Sequence, residues 1–140
     1  MQCNMPKAAF SITNYYFDKV NINLEDKPST NELALSFDVK GIFKAAESDY
    51  ELTFVVEVTN KGVAHPLVVV QCHGIFRLPN IHSLEEIPEF FYNNSVAILF
   101  PYVRGYVSMV TTQANIPGII LPTLNLTSLG AQLKDNTEAQ

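Results

Sequence analysis

Four runs of alternating apolar and polar residues, then one long apolar helix pattern and a short final helix, predict an α+β fold. The expected architecture is a four-stranded antiparallel sheet with a long helix packed on one face and a short C-terminal helix. Two observations carry this. The runs are joined by short connections, which make neighbours antiparallel. Each run also has one apolar and one polar face, so one side of the sheet needs a cover and the other meets water. At 140 residues the chain fits one domain large enough to bury a core without disulfides or metal. We expect that domain to fill 1–140, with its core at about 10–134 and a frayed tail over 135–140.

The first run begins at Phe10, and Phe10, Ile12, Tyr16, Val20, Ile22 and Leu24 all fall on even positions. Asn14 and Asp18 interrupt the set, which predicts a bend or bulge midway. The segment "EDKPSTNE" (25–32) is a loop. In the second run Leu33, Leu35, Phe37 and Val39 alternate with Ala34, Ser36, Asp38 and Lys40, and Gly41 is expected to break it. The third alternates most clearly, with Tyr50, Leu52, Phe54, Val56 and Val58 on one face and Glu51, Thr53, Glu57 and Thr59 on the other. The fourth is "LVVVQCHGIFRL" (67–78).

"PNIHSLEEIPEFFYNN" (79–94) reads as a loop with an aromatic knot at Phe90-Phe91-Tyr92. Asn94 or Ser95 then caps a helix over Ser95–Ala114. "NIPGIILPTLNL" (115–126) is an extended crossing segment, because Pro117, Gly118 and Pro122 break any helix. "TSLGAQLK" (127–134) forms the last helix, with Gly130 as its weak point.

The long helix is apolar on two sides. Val96, Leu99, Phe100, Val103, Val107 and Val110 recur at three and four and form the core stripe. Ile98, Tyr102, Gly105 and Met109 form a second stripe, leaving Arg104, Ser108 and Thr111 as a narrow polar strip. Arg104 interrupts the apolar run too early for a membrane span. The pattern predicts a helix held between its own sheet and another subunit, with Gly105 allowing close approach. Pro101, which removes the bond to the Ala97 carbonyl, predicts a kink.

Charged residues make up 16% of the chain and apolar residues 47%. Little surface is solubilised by charge, as in an oligomer or a protein with an apolar binding face. The net charge is −5, and no Lys/Arg cluster offers a footprint for nucleic acid or an acidic membrane. The N-terminus lacks the basic start and apolar run of a secretory signal, so a cytoplasmic location is expected.

No cofactor is called for, and no catalytic constellation is visible. His65 and His82 fall in loops, and His73 is adjacent to Cys72 on a strand, so the two point to opposite faces and cannot share a metal. CxxC, HxxxH, HExxH, GxSxG, GxGxxG and GxxxxGK patterns are all missing. Glu85, Glu86 and Glu89 read as solvated loop charge. Cys72, in an apolar strand, reads as a reduced, buried thiol.

"SVAILFPYVRGYVSMVT" (95–111), with "GIFRLPNI" (74–81) before it and "LPTLNL" (121–126) after it, resembles the SecB protein-export chaperone family. "FSITNYYFDKVNINLE" (10–25) resembles that family's long first strand, so the resemblance covers roughly Phe10–Leu129. It implies a SecB-like fold assembled as a homotetramer, a dimer of dimers, with the long helix at the subunit interface. It implies a holdase that works without ATP, keeps unfolded polypeptides such as preproteins in apolar surface grooves, and passes them to the SecA motor. By region, the grooves would be lined by Ile22 and Leu24, by Leu33, Leu35 and Phe37, by Phe90 and Phe91, and by Leu124, Leu126 and Leu129.

The family's acidic SecA contacts do not carry over residue by residue. The Asp-x-x-x-Glu pair of the first strand falls on Lys19 and Asn23 here, and the acidic position of the fourth strand falls on Val69. A SecB-like chaperone that guards an antitoxin, without SecA, is therefore a second reading. A carrier of small apolar ligands is a third.

Overall fold

The computed structural model describes residues 10–25 and 32–140. The chain runs β1 (Ser11–Ile22), β2 (Leu33–Lys44), β3 (Asp49–Asn60), β4 (Val68–Arg77), a 3-10 turn (Leu84–Glu86), α1 (Glu89–Gln113), α2 (Leu126–Asp135) and β5 (Thr137–Ala139). Strand order is β1-β4-β3-β2-β5. The first four strands pair antiparallel, as their patterns predict. The sheet has five strands, however, not four. The tail expected to fray turns back after α2, and Gly41, Ile42 and Phe43 of β2 pair in parallel with Thr137, Glu138 and Ala139.

Two further expectations are corrected in β2 and α1. Gly41 does not break β2, which continues to Lys44. The Tyr50 ring of β3 lies where a Cβ of residue 41 would stand, so an aromatic from the next strand fills the space that the glycine leaves. Helix α1 begins six residues before Ser95, directly after Pro88, whose extended backbone starts it. Ser95 is no cap: it is fully buried inside the helix and donates its hydroxyl to the Tyr92 carbonyl at 3.2 Å. The helix is continuous through Pro101, which sits on its exposed side.

In β1 the register against β4 shifts twice, between Ile12 and Asn14 and between Phe17 and Lys19. Each bulge inverts the side-chain alternation. The single even-numbered face therefore does not exist. Tyr15 and Phe17 lie opposite Gly74 and Cys72 on the helix side, whereas Tyr16 lies opposite His73 on the outer side.

The core lies between the sheet and the two helices. Tyr50, Leu52, Phe54, Val56 and Val58 of β3 are fully buried, as are Val68, Val70, Cys72 and Phe76 of β4. Phe91, Val96, Leu99, Val103 and Val107 cover them from α1. Helix α2 packs beside α1, above β2. Asn125 caps it by accepting the Ser128 N–H at 3.1 Å, and Lys134 donates to Glu89 at 2.7 Å. Gly130 is needed where it stands, since a Cβ there would overlap Asn93 of α1. The crossing segment is anchored by buried Thr111, which accepts the Ile119 N–H at 2.9 Å.

Candidate functional site

An open apolar groove of about 750 Å³ lies beyond the C-terminal end of α1, among Leu24, Leu33 and Leu35 on one side and Ile116, Ile119 and Ile120 of the crossing segment on the other. Asn23, Glu25, Asn60, Val63, His65 and Leu67 complete its wall. The elements form it for a plain reason. Leu24 stands just past the end of β1, and Leu33 and Leu35 stand at the start of β2. The prolines of 115–125 hold that segment extended alongside them. Ile120 is 69% exposed, and Leu24 and Leu33 are also exposed.

Of the residues expected in a groove, Leu24, Leu33 and Leu35 are brought together here. Ile22, Phe37 and Leu124 are half-buried against the core nearby, and Phe37 meets Phe54 and Phe100 edge-on or nearly so. Leu126 is exposed at the start of α2. Phe91 and Leu129 do not line a surface: Phe91 is fully buried among Phe10, Tyr50 and Phe76, and Leu129 is buried under α2. Phe90 is exposed but stands at the other end of α1, beside Phe10. The sequence reading missed Ile116, Ile119 and Ile120. Their sign was an apolar run too broken by proline to be helix, part of which (Ile119 and Leu121) is buried while Ile120 is exposed.

The second stripe of α1 faces outward. Ile98, Tyr102 and Met109 are exposed, and a Cβ at Gly105 would meet nothing within 4 Å. β1 extends this surface, because Tyr15 stacks on Tyr102 at 4.1 Å and Phe17 on Tyr106 at 3.9 Å between ring centroids.

The outer face of the sheet holds a polar network. His73 Nε2 lies 2.9 Å from Asp18, and Nδ1 lies 3.1 Å from the Thr53 hydroxyl. Since a carboxylate only accepts, Nε2–H donates to Asp18, while Nδ1 faces both the Thr53 hydroxyl and, at 3.5 Å, the Glu51 carboxylate. Gln71 also donates to Asp18, at 3.2 Å. Tyr16 stacks on the imidazole and donates to Glu51. Desolvation pushes the Asp18 carboxyl up, but the hydrogen bonds from His73 and Gln71 outweigh it and hold the group below its ordinary value. For Tyr16, desolvation first and the Glu51 contact second raise the phenol.

An Asp-His-Thr series of this kind has the order of an acyl-transfer relay. Its setting is wrong for one. Thr53 is buried in the sheet, Tyr16 covers the ring, and the groove lies elsewhere. The two imidazole nitrogens are both engaged with different partners, and no cluster of three metal-ligating side chains occurs among the described residues. The network ties β1, β3 and β4 together.

Cys72 is free and buried, and burial, with a smaller push from the Asp18 charge, raises its thiol to about 12. Cys3 lies outside the described residues. No helix among the described residues is long and apolar enough to cross a membrane.

A family model described as preprotein translocase subunit SecB matches residues 7–137. An uncharacterised protein of Methanocaldococcus jannaschii is 31% identical over 147 residues, covering 96% of this chain and 94% of that one. A protein-export protein SecB of Thioalkalivibrio sulfidiphilus is 27% identical over 140 residues, covering 91% of this chain and 80% of that one. Among solved structures, a SecB-like chaperone of Mycobacterium tuberculosis, in complex with a ChAD peptide from the HigA1 antitoxin, matches with a TM-score of 0.63. It is 17% identical over 84% of this chain and 91% of that chain, which is a likeness of fold. With a family model that spans nearly the whole chain, and a relative alike over almost its full length, the protein belongs to the SecB family.

Proposed function

We propose that this protein is a cytoplasmic holdase chaperone that binds unfolded polypeptides without ATP and keeps them from aggregating. The observation that carries the reading is the open groove between Leu24, Leu33 and Leu35 and the crossing segment with Ile116, Ile119 and Ile120. A surface of this kind gains free energy from any apolar segment it removes from water, so its affinity is broad and its selectivity low. Membership of the SecB family supports the same reading, and that is not an enzyme family.

The outward stripe of α1, Ile98, Tyr102, Gly105 and Met109, together with Tyr15, is the surface through which copies would assemble into a dimer of dimers. It is apolar, continuous across two elements, and uncovered in the single chain.

The test is suppression of aggregation of a chemically denatured protein, with no nucleotide present. The wild-type chain should suppress it near stoichiometric amounts. Ile120→Asp should abolish most of the effect while leaving the unfolding midpoint unchanged, since Ile120 is 69% exposed. Full activity in that variant would overturn the assignment of the groove.

A second reading is a chaperone that guards an antitoxin. It is supported by the Mycobacterium tuberculosis neighbour, whose bound peptide comes from an antitoxin. It is also supported by Lys19 and Asn23, which stand where the resemblance places SecA-contacting carboxylates. Binding of SecA to the intact assembly separates the two: measurable binding favours export, and none favours the guard.

A further inference from the structure

β1 spends twelve residues against ten of β4. The two extra residues, Thr13 and Asp18, form the bulges. Each is tied to β4 by its side chain. The Thr13 hydroxyl donates to the Ile75 carbonyl at 3.2 Å. Asp18 accepts from His73 Nε2–H at 2.9 Å and from the Gln71 amide at 3.2 Å. Between the bulges, Tyr15 and Phe17 stack on Tyr102 and Tyr106 of α1, whereas Tyr16 stacks on His73.

A second register is close at hand. If Tyr15–Asp18 slipped by one residue along β4, both extra residues would gather at 13 and 14, and Lys19–Ile22 would stay paired as they are. A slip of one residue inverts every side chain. Tyr16 would take the place of Tyr15 beside Tyr102, Phe17 that of Tyr16 over His73, and Asp18 that of Phe17 opposite Cys72. With three aromatic residues in a row, both faces would still receive rings. The even spacing of Ile12, Tyr16, Val20 and Ile22 favours this second register. Asp18 is the residue that tells the two apart.

In the observed register its carboxylate meets an imidazole held from behind, with Nδ1 3.1 Å from buried Thr53 and 3.5 Å from Glu51 of β3. In the slipped register it would lose that donor and turn to the helix side, against a β4 stripe sealed from water, where an unpaired carboxylate is costly. We propose that Asp18 is a register latch for β1: through His73 it holds the strand in the one register that turns Tyr15 and Phe17 onto α1. The same side chain stabilises one arrangement and penalises the other. The consequence for assembly rests on the interface reading above; the register does not.

The test reads the register directly. In a Cys3→Ser, Cys72→Ala background, Tyr15→Cys with Tyr102→Cys reports the observed register, and Tyr16→Cys with Tyr102→Cys reports the slipped one. Dibromobimane joins two thiols only where they meet, and circular dichroism checks the folding of each protein. With Asp18 in place, the first pair should join within one chain much faster than the second. Asp18→Ala should move the ratio of the two rates toward the second pair by about tenfold, the scale of one hydrogen bond to a charged group. Asp18→Val should move it at least as far. Asp18→Asn, which keeps an acceptor for His73 and stays polar, should hold the wild-type ratio. A side chain that only stabilised the fold would change both rates together. An unchanged ratio in Asp18→Ala and Asp18→Val would overturn the latch. A moved ratio with unchanged assembly by light scattering would uphold the latch and remove β1 from the interface.

Discussion

The Tyr50 hydroxyl lies 2.6 Å from Thr137 Oγ1, and Thr137 Oγ1 lies 2.6 Å from the Leu133 carbonyl. A carbonyl only accepts, so Thr137 gives its proton to Leu133 and must receive one from Tyr50. The largest buried ring of the sheet is thereby tied to the last turn of α2 and the first residue of β5. Burial pushes the Tyr50 phenol well above its ordinary range, with Thr137 pulling weakly the other way.

Removing either end should cost unequally. Tyr50→Phe deletes the donor together with its need for a partner and should cost about 0.5–1.5 kcal/mol. Thr137→Val leaves the buried Tyr50 hydroxyl without its partner, while the Leu133 carbonyl keeps the Asn136 N–H at 3.2 Å, and should cost about 1–3 kcal/mol. Urea unfolding of both variants measures the difference, and Thr137→Val should be the less stable.

Cys72 should be unreactive at neutral pH while the protein is folded. Its thiol is raised from 9.0 to about 12, so at a pH below both values its thiolate share falls about a thousandfold against an ordinary thiol. The folded pKa lies above the unfolded one. The resulting stability is therefore full below about 9 and is lost as pH rises from there toward 12. Titration of a Cys3→Ser variant with a thiol reagent, native and in denaturant, should show the slow and the fast rate respectively. Equal rates would mean that the core around β4 opens freely.

Tyr102→Asp should place a charge in the outward stripe of α1. Light scattering should then show the 15.6 kDa chain in smaller assemblies than wild type, with far-UV circular dichroism unchanged. Tyr102 is 42% exposed in the single chain and packs on the exposed Tyr15 of β1, outside the buried core. A variant that assembles like wild type would remove this stripe from the interface.

Much of the fold was legible because it rests on alternation. The face of β3 from Tyr50 to Val58 is buried as its period predicts. The core stripe of α1 follows the same logic, with Val96, Leu99, Val103 and Val107 all sealed. What was not legible depends on partners distant in the chain. Gly41 stays in its strand because Tyr50 fills its space. The start of α1 was hidden because Phe91 and Tyr92 are drawn into the core by Phe10, Tyr50 and Phe76, whereas Asn93 and Asn94 look like a loop. β5 carries only Thr, Glu and Ala, so no apolar period announces it; it is held by backbone pairing and the Thr137 hydroxyl. For the site, leucines on strands were readable, but the isoleucines of the crossing segment were not, because only the fold sets them beside Leu33 and Leu35.

The two sheet edges bear on a hazard peculiar to this kind of protein. An unpaired strand edge is a template on which a foreign chain can add and propagate. A molecule proposed to handle unfolded chains meets such strands constantly. Here β5 caps part of the β2 edge, and the two bulges of β1 break the regular spacing that a long added strand would need. The same architecture that offers side chains to a client thus denies it an extended backbone ladder. A held chain can stick without being incorporated, and what is only stuck can be let go.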